Sequence, residues 1–221
     1  FLFSCQEKKT ITTNIEPIRK EALSFRNKGI SNYEKQNFNS AFYDFNKSKI
    51  LYETLKDSAN IGYILIQMAS IQQVNGDYYG SKETVTEALA YFKKKSVYTA
   101  AINNILGIAD KELSLYNDAI YYYKESANSY TNPVEKQTPF SNIASVYIQQ
   151  KKYDKAIILL ESLLTKKILK KISHVSLSKL QDNLGYSYFK NGMDLKGFSL
   201  MKEALQKRNE IKDTYGSIES Y

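Results

Sequence analysis

The residues that could do chemistry are few, and their spacing does not bring them together. The chain of 221 residues has one histidine, His174, one cysteine, Cys5, and no tryptophan. A single histidine with no cysteine or second histidine beside it cannot build a typical zinc site. Without it no Ser/His/Asp or Cys/His nucleophile set can form, and no glycine-rich phosphate loop is present. Carboxylates are numerous but scattered. Asp154 and Asp194 stand where helices would begin, and a negative charge there favours the helix N-terminus. The expectation is a chain that is not an enzyme and carries no metal and no cofactor.

The charge has a similarly plain meaning. Net charge is +8, yet only Arg19, Arg26 and Arg208 are arginines, so the excess is lysine. Arginine is the residue that reads bases and phosphates bidentately, and a lysine coat is first of all a solvated surface. No nucleic-acid partner is expected. The basic run Lys166-Lys167-Ile168-Leu169-Lys170-Lys171 is amphipathic and could meet a membrane or phosphate. The stronger reading is that it closes a long helix, as Lys93-Lys94-Lys95 would close another, with lysines at the negative end of the helix dipole.

What recurs is a spacing of small residues. Gly29, Ala69, Gly107, Ala144 and Gly185 are each followed 12 positions later by a second small residue: Ala41, Ser81, Ala119, Ala156 and Gly197. The unit repeats at 40, 38, 37 and 41 residues, and a fixed period of this size marks a solenoid. Three prolines and nine glycines leave room for long helices, and 43% hydrophobic residues suit a folded chain. No run of about 18 apolar residues suggests a membrane span. In the fourth unit Asn142, Ile143, Ala144 and Tyr147 share one helix face. A turn near Lys151 and Lys152 leads to a second face of Tyr153, Ala156, Ile157, Leu160 and Leu163. Two helices joined by so short a loop must lie antiparallel, with small residues at their closest approach and aromatics filling the wedge beyond.

Taken together, these units resemble the tetratricopeptide repeat (TPR). The fifth reads Leu184-Gly185-Tyr186-Ser187-Tyr188, then Gly192, Gly197 and Ala204. The second reads Met68-Ala69, then Gly76-Asp77-Tyr78, Ser81 and Ala88. The resemblance implies an all-α fold, an α-α superhelix of about five helix-turn-helix repeats over residues 19–210. The period exceeds the ~34 residues of the standard unit, so extra residues are expected in the second helices and the links. Phe25 stands in the place of the signature tryptophan. Segment 211–221 reads as the start of a further repeat, since Ile211-Lys212-Asp213 resembles Leu55-Lys56-Asp57.

The resemblance also implies a concave groove lined by the first helices. Its positions fall in this chain on Leu23, Arg26, Ile30, Tyr33 and Glu34, then on Tyr63, Ile66, Ser70, Gln73 and Val74. The third unit supplies Ala101, Asn104, Ile108, Lys111 and Glu112; the fourth, Thr138, Ser141, Ser145, Ile148 and Gln149; the fifth, Lys179, Asp182, Tyr186, Phe189 and Lys190. Some members hold a peptide's terminal carboxylate with a lysine–asparagine pair. The matching pairs here are Arg26/Ile30, Ile66/Ser70, Asn104/Ile108, Ser141/Ser145 and Asp182/Tyr186, so that clamp is not expected. Aromatic anchors beside polar groups suit a peptide or protein segment as partner.

The N-terminus adds a second motif. Phe1-Leu2-Phe3-Ser4-Cys5 resembles a bacterial lipoprotein processing box, and Gln6-Glu7-Lys8-Lys9 resembles the tether that follows one. Residues 1–18 are then a signal-peptide remnant and tether, with Cys5 the lipidated residue and the only membrane contact. The expected role is the envelope-side sensory or scaffolding region of a larger bacterial signalling protein, lipid-anchored or periplasmic. The alternatives are a stand-alone lipoprotein organising an envelope assembly, or a cytoplasmic receptor for signalling peptides.

Overall fold

In the computed structural model, residues 15–92, 96–165 and 171–210 are described. Cys5, the segment 211–221 and the lysines Lys93, Lys94, Lys95, Lys166, Lys167 and Lys170 lie outside them. Among the described residues ten α-helices follow one another and no strand occurs. The first unit is α1 (Glu16–Glu34) with α2 (Phe38–Thr54), and the second is α3 (Ser58–Val74) with α4 (Tyr78–Ala88). The third and fourth are α5 (Val97–Glu112) with α6 (Tyr116–Asn128), and α7 (Gln137–Gln149) with α8 (Tyr153–Leu163). The fifth is α9 (His174–Lys190) with α10 (Asp194–Glu210). No described helix is long and apolar enough to cross a membrane.

Four helices, α3, α4, α5 and α9, begin where a polar side chain satisfies a free N–H group of the first turn. Asp57 accepts from the Asn60 amide at 3.2 Å and Asp77 from the Gly80 amide at 2.9 Å. Ser96 and Thr99 form a reciprocal capping box on α5, and Ser173 accepts from the Ser176 amide at 3.1 Å on α9. Each first helix ends in one recurring turn. Gln36, Gly76, Ser114, Lys151 and Gly192 all adopt left-handed backbone, with φ between 58° and 80°. After each, a main-chain N–H reaches back to the helix, as in Asn37 to the Asn32 carbonyl and Met193 to the Tyr188 carbonyl, at 2.8 and 2.9 Å.

All ten small residues of the repeat are buried. What each first small residue faces differs. A Cβ on Gly29 would lie 2.7 Å from the Phe45 ring, and one on Gly107 would lie 2.7 Å from the Tyr123 ring. A Cβ on Gly197 would instead meet main chain, 2.7 Å from the Gly185 carbonyl oxygen. A second layer of contact lies seven residues out from these positions. The Ser48 hydroxyl donates to the Ala22 carbonyl at 2.8 Å, and Ser126 donates to the Ala100 carbonyl at 2.9 Å. At the equivalent place in the fourth unit the Gln137 amide donates to the Leu163 carbonyl at 3.0 Å.

The extra length lies between units, as one half of the expectation had it, rather than in the second helices of the middle units. In the second, third and fourth units the second helices end early, at Ala88, Asn128 and Leu163. Residues 89–96, 129–136 and 164–173, of which 93–95 and 166–170 lie outside the described residues, separate these ends from the next described helix, whereas only 55–57 separate α2 from α3. α4 stops at Ala88 and α8 at Leu163, and of the two lysine runs expected to close them only Lys171 lies among the described residues. The buried face of α8, formed by Ala156, Ile157, Leu160 and Leu163, ends where the helix does.

Successive units share a core. One cluster runs from Ala22 on α1 through Phe45, Ile64 and Val85 to Leu106 on α5. Others join Tyr123 on α6 to Val146 on α7, and Leu160 on α8 to Leu180 and Tyr188 on α9. The Lys82 ammonium on α4 bonds to the fully buried Asp110 carboxylate on α5, tying the second unit to the third. From α3 onward the first helices also touch each other, α3 with α5, α5 with α7 and α7 with α9, and the second helices do not meet to that extent. Units that converge on one side curve toward it, so the first helices line the inner face.

Candidate functional site

The inner face is built by polar contacts that step from one first helix to the next. On α1 the Arg26 guanidinium donates to Asn60 Oδ1 at 2.7 Å and stands 4.9 Å over the Tyr63 ring, both on α3. On α3 the Gln73 amide donates to the Ile105 carbonyl of α5 at 2.7 Å. The Asn142 amide on α7 donates to Asn104 Oδ1 on α5 at 2.8 Å. These contacts hold neighbouring units in register and spend much of the hydrogen-bonding capacity of the residues involved.

Several residues named from the sequence serve packing as well. Ile66 is only 5% exposed and belongs to the core, because α3 is enclosed by α2, α4, α5 and the 3-10 turn at Leu89–Tyr91. Ile30, Tyr33 and Tyr63 are half-buried at the edge of the first core cluster, and Tyr33 meets Phe38 edge-on at 5.6 Å. Ile108 and Ile148 hold the same position against the later clusters. The Ser70 hydroxyl donates to the Ile66 carbonyl at 3.0 Å, and Ser145 donates to the Asn142 carbonyl at 2.8 Å. Lys111 pairs with its neighbour Glu112 at 2.8 Å.

The fifth unit is more open. Tyr186 is 40% exposed, with its ring edge-on to Tyr153 of α8 at 6.4 Å and the Lys190 ammonium 5.5 Å from its centroid. Phe189 lies tilted against Phe198 of α10 at 5.1 Å. Asp182 faces inward but is held by Arg208 at 2.6 Å, whose side chain is 2% exposed. Behind this face Tyr188 donates to the Glu161 carboxylate, and burial together with that carboxylate raises its phenol above the usual range, partly countered by Lys196.

One opening on the inner face lies between α7 and α9. A cavity of about 370 Å³ is walled by Gln137, Ser141 and Asn142 on α7 and by Lys171, Ser173, Lys179 and Leu180 from the last link and α9. A recess of about 250 Å³ continues from Ser141, Asn142 and Lys179 to Asp182 and Arg208. Lys179 was legible as an inner-face position; Lys171 was not, because the run containing it reads as a helix end. Among the described residues no cluster of histidine, cysteine, aspartate and glutamate could hold a metal ion.

No protein-family model matches the chain, and no curated protein matches its sequence. Solved structures match its backbone. BtubC from P. vanneervenii aligns with a TM-score of 0.70 at 17% identity, over 90% of this chain and 91% of that one. A putative kinesin light chain from Podosopora anserina with nearly identical TPR-like repeats gives 0.66 at 14% identity, over 91% and 99%. A thermophilic TPR protein from Thermus thermophilus gives 0.66 at 15% identity, over 90% and 96%. At such identities the likeness shows the fold: an α-α superhelix of the tetratricopeptide type.

Proposed function

We propose that this solenoid is a non-catalytic interaction module that holds a peptide or protein segment along the inner face of its first helices. The observation that carries the reading is Tyr186. It is a large amphipathic side chain left 40% exposed on that face, with a lysine beside it, on a helix that also lines a cavity. Aromatic side chains of this kind supply contact area at low entropic cost and anchor extended partners.

The test is a selection of displayed random peptides on the folded protein, followed by affinity measurements on variants. Tyr186→Ala is expected to weaken the selected peptides by roughly tenfold, as for an interface anchor. Tyr43→Ala and Tyr121→Ala, on exposed faces of α2 and α6, are expected to leave binding unchanged. Peptides that ignore Tyr186 and depend on Tyr43 or Tyr121 would move the binding face to the second helices and contradict the reading.

The finer role follows the N-terminal motif. With Cys5 carrying lipid, the module stands at the cell envelope as a sensory or scaffolding region of a larger bacterial signalling protein. The support is the Leu2-Phe3-Ser4-Cys5 order and the polar residues after it. Mass spectrometry of the native N-terminus is expected to find acyl chains on Cys5; an unmodified Cys5 with residues still attached upstream would remove the anchor.

A second reading, a scaffold that self-associates, is favoured by exposed apolar side chains on α10. Leu195 is 89% and Phe198 56% exposed on α10. Phe198 directly follows Gly197, the place held by Phe42, Ile120 and Ile157 after the second small residues of other units, all half-buried or buried. Light scattering across a concentration series separates the readings: a constant monomer mass disfavours self-assembly.

A further inference from the structure

The cleft between α7 and α9 brings together unspent cationic charge, depth and a buried unsatisfied acceptor. Lys171 and Lys179 border it from the link and from α9, and neither has an ion-pair partner among the described residues. The lysines elsewhere on this face differ, since Lys111 is paired with Glu112 and Lys190 rests over Tyr186 and Phe189. Asp182, which borders the adjoining recess, is engaged by Arg208. Ser173 already caps the first turn of α9, so the lysines rather than the helix end supply the attraction. In the wall Gln137 is 3% exposed, gives its amide hydrogen to Leu163, and leaves Oε1 without a partner among the described residues.

We infer that this cleft is an acidic-residue subsite of the inner face: it takes the carboxylate side chain of an aspartate or glutamate on the partner segment, between Lys171 and Lys179. The inference rests on the interaction-module reading above and names what that module selects. A peptide suits the cleft better than a free anion because it brings a carboxylate for the lysines together with main-chain N–H donors for amide and hydroxyl acceptors such as those of Gln137, Ser141 and Asn142. Val134, Ile172 and Leu180 give the cavity an apolar floor. A carboxylate on the methylene stem of glutamate is matched to such a floor under charged walls.

The probes are two capped hexapeptides, one alternating tyrosine with glutamate and the other alternating tyrosine with glutamine. The glutamate peptide is expected to bind about five- to tenfold more tightly than its counterpart, the range for one or two partly exposed ion pairs. The preference is expected to vanish in Lys171→Gln/Lys179→Gln and to persist in Lys124→Gln/Lys155→Gln, which removes the same charge from exposed sites on α6 and α8. Circular dichroism checks that both variants keep their helix. A preference that survives the cleft variant, or falls equally in both, would assign it to the overall charge of +8 and overturn the inference. Equal binding of the two peptides, or no binding of the glutamate peptide at millimolar concentration, would overturn it as well. Failure of the underlying module reading shows differently, as display-selected peptides that are indifferent to Tyr186→Ala.

Discussion

The first and last helix pairs solve the same packing problem by different means. In α1/α2 the small residue Gly29 makes a seat for the ring of Phe45, which is 0% exposed. In α9/α10 Gly185 and Gly197 face each other, and the Gly197 main chain stands close enough that a Cβ would lie 2.7 Å from the Gly185 carbonyl oxygen and 2.8 Å from the Phe189 nitrogen. One contact is glycine on a ring, which can tilt. The other is main chain on main chain, which cannot yield without moving a helix. The same 12-residue spacing therefore conceals two mechanical situations, one compliant and one rigid.

The largest expected effect sharpens that contrast. Gly197→Ala gains about 1 kcal/mol of helix propensity but suffers an overpacking penalty at the upper end of its usual range, for a net loss of about 2 kcal/mol. Gly29→Ala meets only the Phe45 ring, so gain and penalty nearly cancel and the net loss stays under about 1 kcal/mol. Urea unfolding of both variants measures the difference, and equal losses would break the comparison.

A smaller effect lies in the turns that follow these contacts. Gln36 and Gly192 occupy the same turn position with φ of 60° and 80°. Left-handed backbone costs a residue with a Cβ about 1 kcal/mol, so Gly192→Ala is expected to destabilise by that amount. Gln36→Gly is expected to stabilise by up to about 0.5 kcal/mol, limited by the extra freedom of glycine in the unfolded chain. Thermal unfolding reports both signs; a loss on Gln36→Gly would mean that its side chain does more than occupy the turn.

The smallest effect at neutral pH distinguishes two rings in equivalent seats, Phe45 against Gly29 and Tyr123 against Gly107. Burial first, then the Glu112 and Asp110 carboxylates, raises the Tyr123 phenol above its ordinary value. A group whose ionisation is held back in the folded state contributes stability that is complete below the unfolded pKa, near 10, and is lost as pH rises from there toward the folded value. Stability is expected to fall above about pH 10, with a shallower fall in Tyr123→Phe. Denaturant unfolding between pH 8 and 11 checks this, and parallel curves would show that Tyr123 ionises freely.

Much of this architecture is legible in residue types, and the reasons the rest is not are physical. The ten small residues announce five buried helix contacts because nothing larger fits there. Whether the opposing surface is a ring or main chain depends on the interhelical distance, which Gly29 and Gly185 do not distinguish by themselves. The recurring left-handed turn is visible at Gly76 and Gly192 but hidden at Gln36, Ser114 and Lys151, whose side chains give no hint of positive φ. A period counted seven residues outward from the small positions would have found the Ser48–Ala22 and Ser126–Ala100 layer.

The inner face is legible only in part. Arg26, Asn104, Asp182 and Tyr186 lie on first helices as expected, yet the first three also make specific intramolecular bonds. Ile66 is lost to the core because a helix in the middle of a stack has neighbours on several sides. The lysine run looks like a helix end by composition, but α8 stops at Leu163 and leaves Lys171 at the rim of a cleft. The cavity between α7 and α9 depends on how two helices from different units are spaced, which no residue type encodes alone.

The central claim is that partners lie on the first helices. It is tested most directly by the isoleucine methyl NMR spectrum of the protein with and without a display-selected peptide. Ile30, Ile108 and Ile148 report from α1, α5 and α7, and Ile50 and Ile158, 48% and 69% exposed, report from α2 and α8. The account predicts that the first set shifts and the second stays in place; shifts confined to Ile50 and Ile158 would contradict it.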